Sequence, residues 1–380
     1  MNKRRKFIHQ SAGLFSIPLI SQILGCSTPQ VISKPTNKKV IGSVVIVGGG
    51  FAGATAAKYL HKWGEGLIKV VIIEKNDIFY SCPMSNMVLS GAKDIGYIKQ
   101  SYESLQRRGI LVIKDEAISI DPVKLSVKTL TGRTLSADKL IISPGVDFDY
   151  DKIEGLTRKA RKRVLHGWKA GAQTVALRSQ IHSISNGGVM IISVPKSPYR
   201  CPPGPYERAC QVANYFKQQK PRSKILVLDA NSDVQSKKSF FMSSWDTIYK
   251  NIVEYVPDME ISELDYKSRT LITHFGDKVK GEVLNVIPPN TAGKVAHLAG
   301  LVTTNDRWCD VNWLNLESQK FKNIHILGDA TLATEQMPKS AHIANQHGKV
   351  VASAIVEYFS GRNPIPSKMI NTCYSFIDKS

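Results

Sequence analysis

Residues 44–47, Val-Val-Ile-Val, are apolar without interruption, and glycines at 48, 50 and 53 follow, with small and apolar residues continuing to Leu60. Such a run, bounded by glycine, predicts a strand buried on both faces, and the segment behind it predicts a helix. A second run, Val70-Val-Ile-Ile, ends at Glu74, so the stretch reads as a βαβ unit. Ile110–Ile113 and Leu125–Val127 predict short strands around an Asp121-Pro122 turn, and Ala137–Gly145 predicts a buried strand ending in a glycine turn. Gly187–Ser193 and Lys224–Asp229 are strands of a second βαβ unit with a helix over Tyr206–Lys217. Lys322–Ala330 reads as a strand ending in Gly328-Asp329, and Ala341–Phe359 as a long closing helix.

The first glycine turn carries the clearest chemistry. Glycine lets the backbone bend tightly, approach a pyrophosphate and pack helix on strand, leaving helix N–H groups aimed at the phosphates. Glu74 stands about 20 residues past Gly53, at the end of the second strand, where a carboxylate accepts hydrogen bonds from ribose hydroxyls. The unit is therefore a dinucleotide site, with the dinucleotide open at this point. The second unit differs. Its loop holds Pro195, Pro198, Pro202, Pro203 and Pro205 and one glycine. Each proline removes an N–H donor, so no phosphate cradle is expected there, which argues against a nicotinamide donor.

Composition is that of a globular protein with two or three domains: 380 residues, 42% hydrophobic and 22% charged. The N-terminus is distinctive. Lys3-Arg-Arg-Lys-Phe-Ile8 is a basic head with adjacent arginines resembling a twin-arginine signal, and Ala12–Gly25 is an apolar run broken by Pro18, too short to span a bilayer. An exported, periplasmic protein without a transmembrane helix is expected. Ile23-Leu-Gly-Cys26 resembles a lipoprotein cleavage box, making Cys26 a candidate lipid anchor, with simple cleavage the alternative; Ser27 to Lys39 reads as a tether. A formal charge of +20 suits an acidic partner or anions. The basic cluster Arg158–Arg163 reads as a solvated face, and no nucleic acid is expected. His342 and His347 do not share a helix face well and are expected to pack or face solvent, so no metal site is expected.

Several motifs together resemble the flavoprotein subunit of flavocytochrome c sulfide dehydrogenase, across residues 40–376. They are Val47-Gly-Gly-Gly-Phe-Ala-Gly-Ala-Thr-Ala-Ala-Lys-Tyr59, Cys82-Pro-Met-Ser-Asn86, Tyr150-Asp-Lys-Ile-Glu-Gly155, Trp168-Lys-Ala-Gly171, Arg200-Cys-Pro-Pro-Gly-Pro-Tyr-Glu-Arg-Ala209, Met337-Pro-Lys-Ser340 and Asn371-Thr-Cys-Tyr-Ser375. The resemblance implies FAD, joined covalently through Cys82, and a redox-active disulfide between Cys201 and Cys373 with Glu207 beside it. It implies a flavin cradle of Gly48, Gly50, Phe51, Ala52, Gly53, Glu74, Lys75, Cys82, Asn86, Ala117, Gly145, Gly328, Asp329 and Lys339. Sulfide, or a related reduced sulfur anion, would open the disulfide, and electrons would pass through flavin to a c-type cytochrome subunit. No Cys-x-x-Cys-His occurs, so any haem belongs to that partner. Cysteine chemistry alone leaves a structural staple open for Cys201–Cys373, and an ordinary buried thiol for Cys82.

The fold expected is α/β, with two Rossmann-like three-layer lobes of the FAD/NAD(P)-binding type and a short C-terminal segment. The expected divisions are 1–39 export signal and tether, 40–153 first part of the FAD domain, 154–291 second lobe without a phosphate loop, 292–362 second part of the FAD domain, and 363–380 a curtailed interface segment. That last segment is shorter than the resemblance implies. Two other readings remain: sulfide:quinone oxidoreductase, and a non-catalytic FAD-binding protein.

Overall fold

This computed structural model describes residues 39–334 and 337–379; the basic head, Cys26 and the tether before residue 39 lie outside the described residues. The framing elements are, in chain order, β1 (Gly42–Val47), α1 (Phe51–Trp63), β2 (Ile68–Glu74), α2 (Ser85–Leu89), β3 (Leu111–Lys114), β4 (Lys139–Ile142), α3 (Ala172–Ser183), β5 (Val189–Val194), α4 (Gly204–Gln219), β6 (Lys224–Asp229), α5 (Lys238–Thr247), β7 (Val253–Val256), β8 (Val283–Val286), β9 (Val311–Asn312), β10 (Glu317–Ser318), β11 (Ile324–Ile326) and α6 (Ala341–Phe359).

Two sheets organise them, the second parallel throughout and the first parallel except for its β9-β10-β11 edge, which pairs antiparallel. The first has the order β9-β10-β11-β4-β1-β2-β3, and the second β7-β6-β5-β8. In the first, β1 pairs in parallel with both β2 and β4, setting Val44 opposite Val70 and Ile46 opposite Ile141. Both neighbours cover its backbone, and Val44, Val45, Ile46 and Val47 are all buried. That is why the run is apolar rather than alternating. β11 comes from far along the chain and pairs in parallel with β4. Residues from both ends of the sequence thus build one sheet, and α6 packs on α1.

Each sheet is accompanied by a three-stranded antiparallel meander: Ala117–Asp121, Ser126–Thr129 and Thr134–Ser136 in one case, and Ile261–Asp265, Thr270–Thr273 and Lys278–Lys280 in the other. The second meander was not read from the sequence, because charged residues interrupt its apolar alternation. Val146–Phe148 and Asn290–Ala292 pair antiparallel where the chain passes between the sheets.

α4 begins at Gly204, two residues before the expected Tyr206. Pro205 is tolerated there because first-turn N–H groups have no intrahelical acceptor. The helix is buried from Gly204 through Ala213 and includes Arg208 at 1% exposure and Gln211 at 0%. Buried polar side chains on one helix need partners, and those partners define the site. No helix among the described residues is long and apolar enough to cross a membrane.

Candidate active site

The glycine turn is shaped by contacts that exclude side chains on one side and leave the other open. Gly48 has φ +96°, and a Cβ there would lie 2.4 Å from the Ser143 carbonyl oxygen; at Gly53 it would lie 2.0 Å from the Gly48 oxygen. Gly50 meets nothing closer than the Phe79 ring at 3.8 Å, and Gly145 nothing within 4 Å. α1 has no side-chain cap and no acid in its first turn, so its leading N–H groups are available to an anion. Phe51 lies edge-on to Phe79 at 5.1 Å, and Ala52 is buried.

Glu74 ends β2 and accepts from Gly49 N at 2.8 Å through one oxygen and from Asn76 through the other. Lys75 forms an exposed ion pair with Glu116, and Ala117 opens the first meander against the core of the sheet.

Gly328-Asp329 follows β11. Gly328 N donates to His347 Nδ1 at 3.0 Å, so His347 serves packing beneath this turn, while His342 accepts from the tail at Thr372 N. Asp329 Oδ1 is buried without a partner. Burial pushes the Asp329 carboxyl up, while Arg200 and Lys339 pull it down. Lys339 donates to the Asp329 carbonyl at 3.0 Å and to Thr331 O, and sits 3.4 Å over the Trp308 ring. Burial lowers its pKa to about 7. An open glycine cradle, uncapped helix amides and an orphaned carboxylate oxygen are the features that a flavin dinucleotide would need, its pyrophosphate against helix amides and its hydroxyls against a carboxylate.

The loop after β5 carries Cys201, held at φ +57°, its N–H donating to Lys339 O at 2.8 Å. This bond ties the proline-rich loop to the segment that leads into α6. Cys201, Cys373, Cys82 and Glu207 share one electrostatic neighbourhood. The Cys201 thiol is pushed up to about 12 by burial first, then by Glu207, Cys373 and Cys82, with Arg200 opposing. The structure brings the expected pair together but does not join them. Cys201 and Cys373 are both free thiols, and Cys373 Sγ accepts instead from the Asn371 amide at 3.4 Å. Cys82 is also a free thiol, placed 3.6 Å from the Trp168 carbonyl.

Asn86 was expected at the flavin, but its amide is committed to protein: Nδ2 donates to Gly204 O and to Glu207 Oε1, and Oδ1 accepts from Arg208 Nε, each at 3.1 Å. Glu207 is 9% exposed and its proton affinity is raised by burial. Reading the sequence missed Arg208, Gln211 and Lys237, although Arg208 lies within the longest motif, next to Glu207.

Residues 363–379 contain no helix or strand. They are held by side chains of other elements. Gln211 donates to Phe376 O at 3.2 Å and to Asp378 O, Tyr249 Oη to Ile377 O at 2.6 Å, and Lys237 Nζ to Cys373 O at 2.7 Å. Ser340, the cap of α6, donates to Asn371 Oδ1 at 2.7 Å. This is how Cys373 reaches Cys201.

At the end of β6, where a second nucleotide's ribose would meet a carboxylate, Asp229 is spent on protein. Its Oδ2 accepts from Tyr206 at 2.6 Å and Tyr255 at 3.1 Å, and its Oδ1 from Asn231. A cavity of about 270 Å³ lined by Arg163, Gln180, Tyr266 and Arg269 lies at the amino-terminal edge of the second sheet, beside the first residues of β8, and includes none of the thiols.

Residues 174–288 match the family model described as sulfide dehydrogenase (flavocytochrome c) flavoprotein chain, central, and residues 42–183 match pyridine nucleotide-disulphide oxidoreductase. The flavoprotein chain of sulfide dehydrogenase (flavocytochrome c) from Chlorobaculum thiosulfatiphilum is 51% identical over 45 residues, which are 12% of this chain and 92% of that relative. The mitochondrial sulfide:quinone oxidoreductase of Mus musculus is 26% identical over 327 residues, covering 80% of this chain and 69% of its own. Among solved structures, sulfide:quinone oxidoreductase from Aquifex aeolicus superposes with a TM-score of 0.72 at 18% identity, over 84% of this chain and 77% of that one. That likeness establishes the two-lobed α/β fold.

Proposed function

We propose, from the premise that this chain belongs to the family of flavocytochrome c sulfide dehydrogenase flavoproteins, that it is an FAD-dependent enzyme oxidising sulfide through Cys201 and Cys373. One observation carries the reading: Cys82, Cys201 and Cys373 converge with Glu207 beside a flavin cradle, although 172 residues separate Cys373 from Cys201 and 119 separate Cys201 from Cys82.

In the oxidised enzyme the Cys201 and Cys373 sulfurs are joined. Hydrosulfide adds to one sulfur; an S–S bond forms to the incoming atom, the old one breaks, and the other cysteine leaves as a thiolate. Glu207 takes the proton released from the new persulfide. Bound FAD supplies a two-electron acceptor that returns electrons one at a time. Cys82 is the residue that would attach the flavin, Arg200, with Lys339 when protonated, supplies positive charge beside Asp329, and Asp329 would hold the ribityl chain.

The acceptor in this reading is a c-type cytochrome carrying the haem, and the formal charge of +20 suits an acidic partner. The arginine-paired head assigns the enzyme to the periplasm, to be checked by cell fractionation. A quinone acceptor is the second reading, favoured by likeness to the mouse enzyme along most of the chain. Anaerobic sulfide titration tests the core of the proposal. Yellow protein should bleach with sulfide, and Cys201→Ser and Cys373→Ser should each slow bleaching at least about a hundredfold, the scale of removing a group needed in the reacting step. Yellow protein that sulfide leaves unbleached would support a non-catalytic flavoprotein. Reoxidation by cytochrome c or by a soluble quinone separates the acceptors. Acid precipitation should keep the colour on the wild type and release it from Cys82→Ser.

A further inference from the structure

Glu207, Asn86 and Arg208 form a continuous line of hydrogen bonds within the protein. Asn86 Nδ2 donates to the carboxylate and its Oδ1 accepts from Arg208 Nε, so the amide is oriented from both ends. Arg208 is 1% exposed. Its remaining hydrogen bonds go to His166 O at 2.6 Å, Asn285 Oδ1 at 2.8 Å and Gly167 O at 3.0 Å, and it lies 4.9 Å from the Trp168 ring centre. Every acceptor is neutral. A guanidinium removed from water without an ion pair is costly to keep charged, and such a charge acts on whatever anion lies across its hydrogen bonds. Across one amide lies Glu207.

We propose that Asn86 and Arg208 are positioning residues that set the proton affinity of Glu207, with the Asn86 amide transmitting the guanidinium charge to the carboxylate. The inference rests on the reading of Glu207 as proton acceptor in sulfide oxidation. The proton leaves the persulfide sulfur, converts the Glu207 carboxylate to the acid, and passes on to solvent. The groups facing Glu207 come from four directions. Arg208, Cys210 and the Cys201 loop belong to α4 and its entry, Asn86 to α2, Lys237 to the approach to α5, and the Phe376 N–H to the tail. Burial favours the acid form; Asn86, Phe376, Lys237 and Arg208 all favour the carboxylate. Asn86 hydrogen-bonds the side chains of both Glu207 and Arg208.

Infrared difference spectra of holoprotein across pH, with Glu207→Gln to assign the band, report the carboxyl directly. Asn86→Leu should raise the Glu207 midpoint by about one pH unit, a tenfold change in proton affinity. The acid limb of single-turnover flavin reduction by sulfide should move by the same amount, with the alkaline plateau kept. Arg208→Lys, which keeps the charge, should stay nearer the wild type than Asn86→Leu. Where that variant does not fold, Asn86→Leu decides. A midpoint unmoved in folded Asn86→Leu overturns the inference. Wild-type protein that sulfide fails to bleach at any pH defeats the functional reading instead, while the infrared titration still decides the relay.

Discussion

Gly53 sets the tolerance of the nucleotide turn at a single atom. A methyl group there would lie 2.0 Å from the Gly48 oxygen, so Gly53→Ala must lift α1 off β1. We expect loss of flavin and destabilisation by about 1–3 kcal/mol, read by denaturant unfolding of the cofactor-free protein. Lys339 gives a pH-dependent case. Burial lowers it to about 7 from 10.5. Below pH 7 it is charged both folded and unfolded, and the full cost of burying charge applies. Between 7 and 10.5 the unfolded chain holds the proton that the folded one has lost, so wild-type stability rises with pH. Lys339→Met in cofactor-free protein should therefore gain about 1–3 kcal/mol at pH 6, and the gain should shrink by pH 9 in parallel urea titrations. At this scale the glycine turn was legible in the sequence because Gly48 and Gly53 answer to local contacts, whereas the bonds that Glu74 accepts from Gly49 and Asn76 were not. Nor was the Asn86–Arg208 bond, which spans 122 residues and leaves no periodic trace.

Among elements, α1 and α6 meet at glycine. A Cβ on Gly348 would stand 2.6 Å from Ala52 O and 2.8 Å from Thr55 Cβ, while Asn345 donates to Thr55 Oγ1 at 2.9 Å. Gly348→Leu should cost about 3 kcal/mol or slightly more by forcing the helices apart, measured as a lowered urea midpoint with unchanged slope. α6 was legible to the residue, Ala341 to Phe359, because Ser340 caps it, its N–H acceptor bond from Ile343 being local, and because its apolar stripe is long. α4 was legible in kind but not in start, since proline inside a first turn reads as loop until the missing donor is seen to cost nothing. The Ile261–Lys280 meander stayed hidden because charged residues break its apolar alternation, so that only the pairing of its strands with one another defines it.

For the whole molecule, the tail is the weakly held part. It makes no ladder with either sheet, and its anchors are side chains donating to carbonyls, such as Gln211 and Tyr249. Gln211→Ala should cost about 1–2 kcal/mol and make the last residues the first site of limited proteolysis, seen as a small mass loss by mass spectrometry. Because Cys373 rides on that segment, its alkylation should quicken in the same variant while Cys210, fully buried in α4, stays protected. The other global consequence concerns synthesis. β4 is translated long before β11, yet β11 is the neighbour that covers its flank. While the ribosome is still extending the chain past Ile142, β4 presents an unsealed edge with nothing to zip onto, the kind of edge that recruits other strands. That seam stays open until Ile324–Ile326 emerges and closes it.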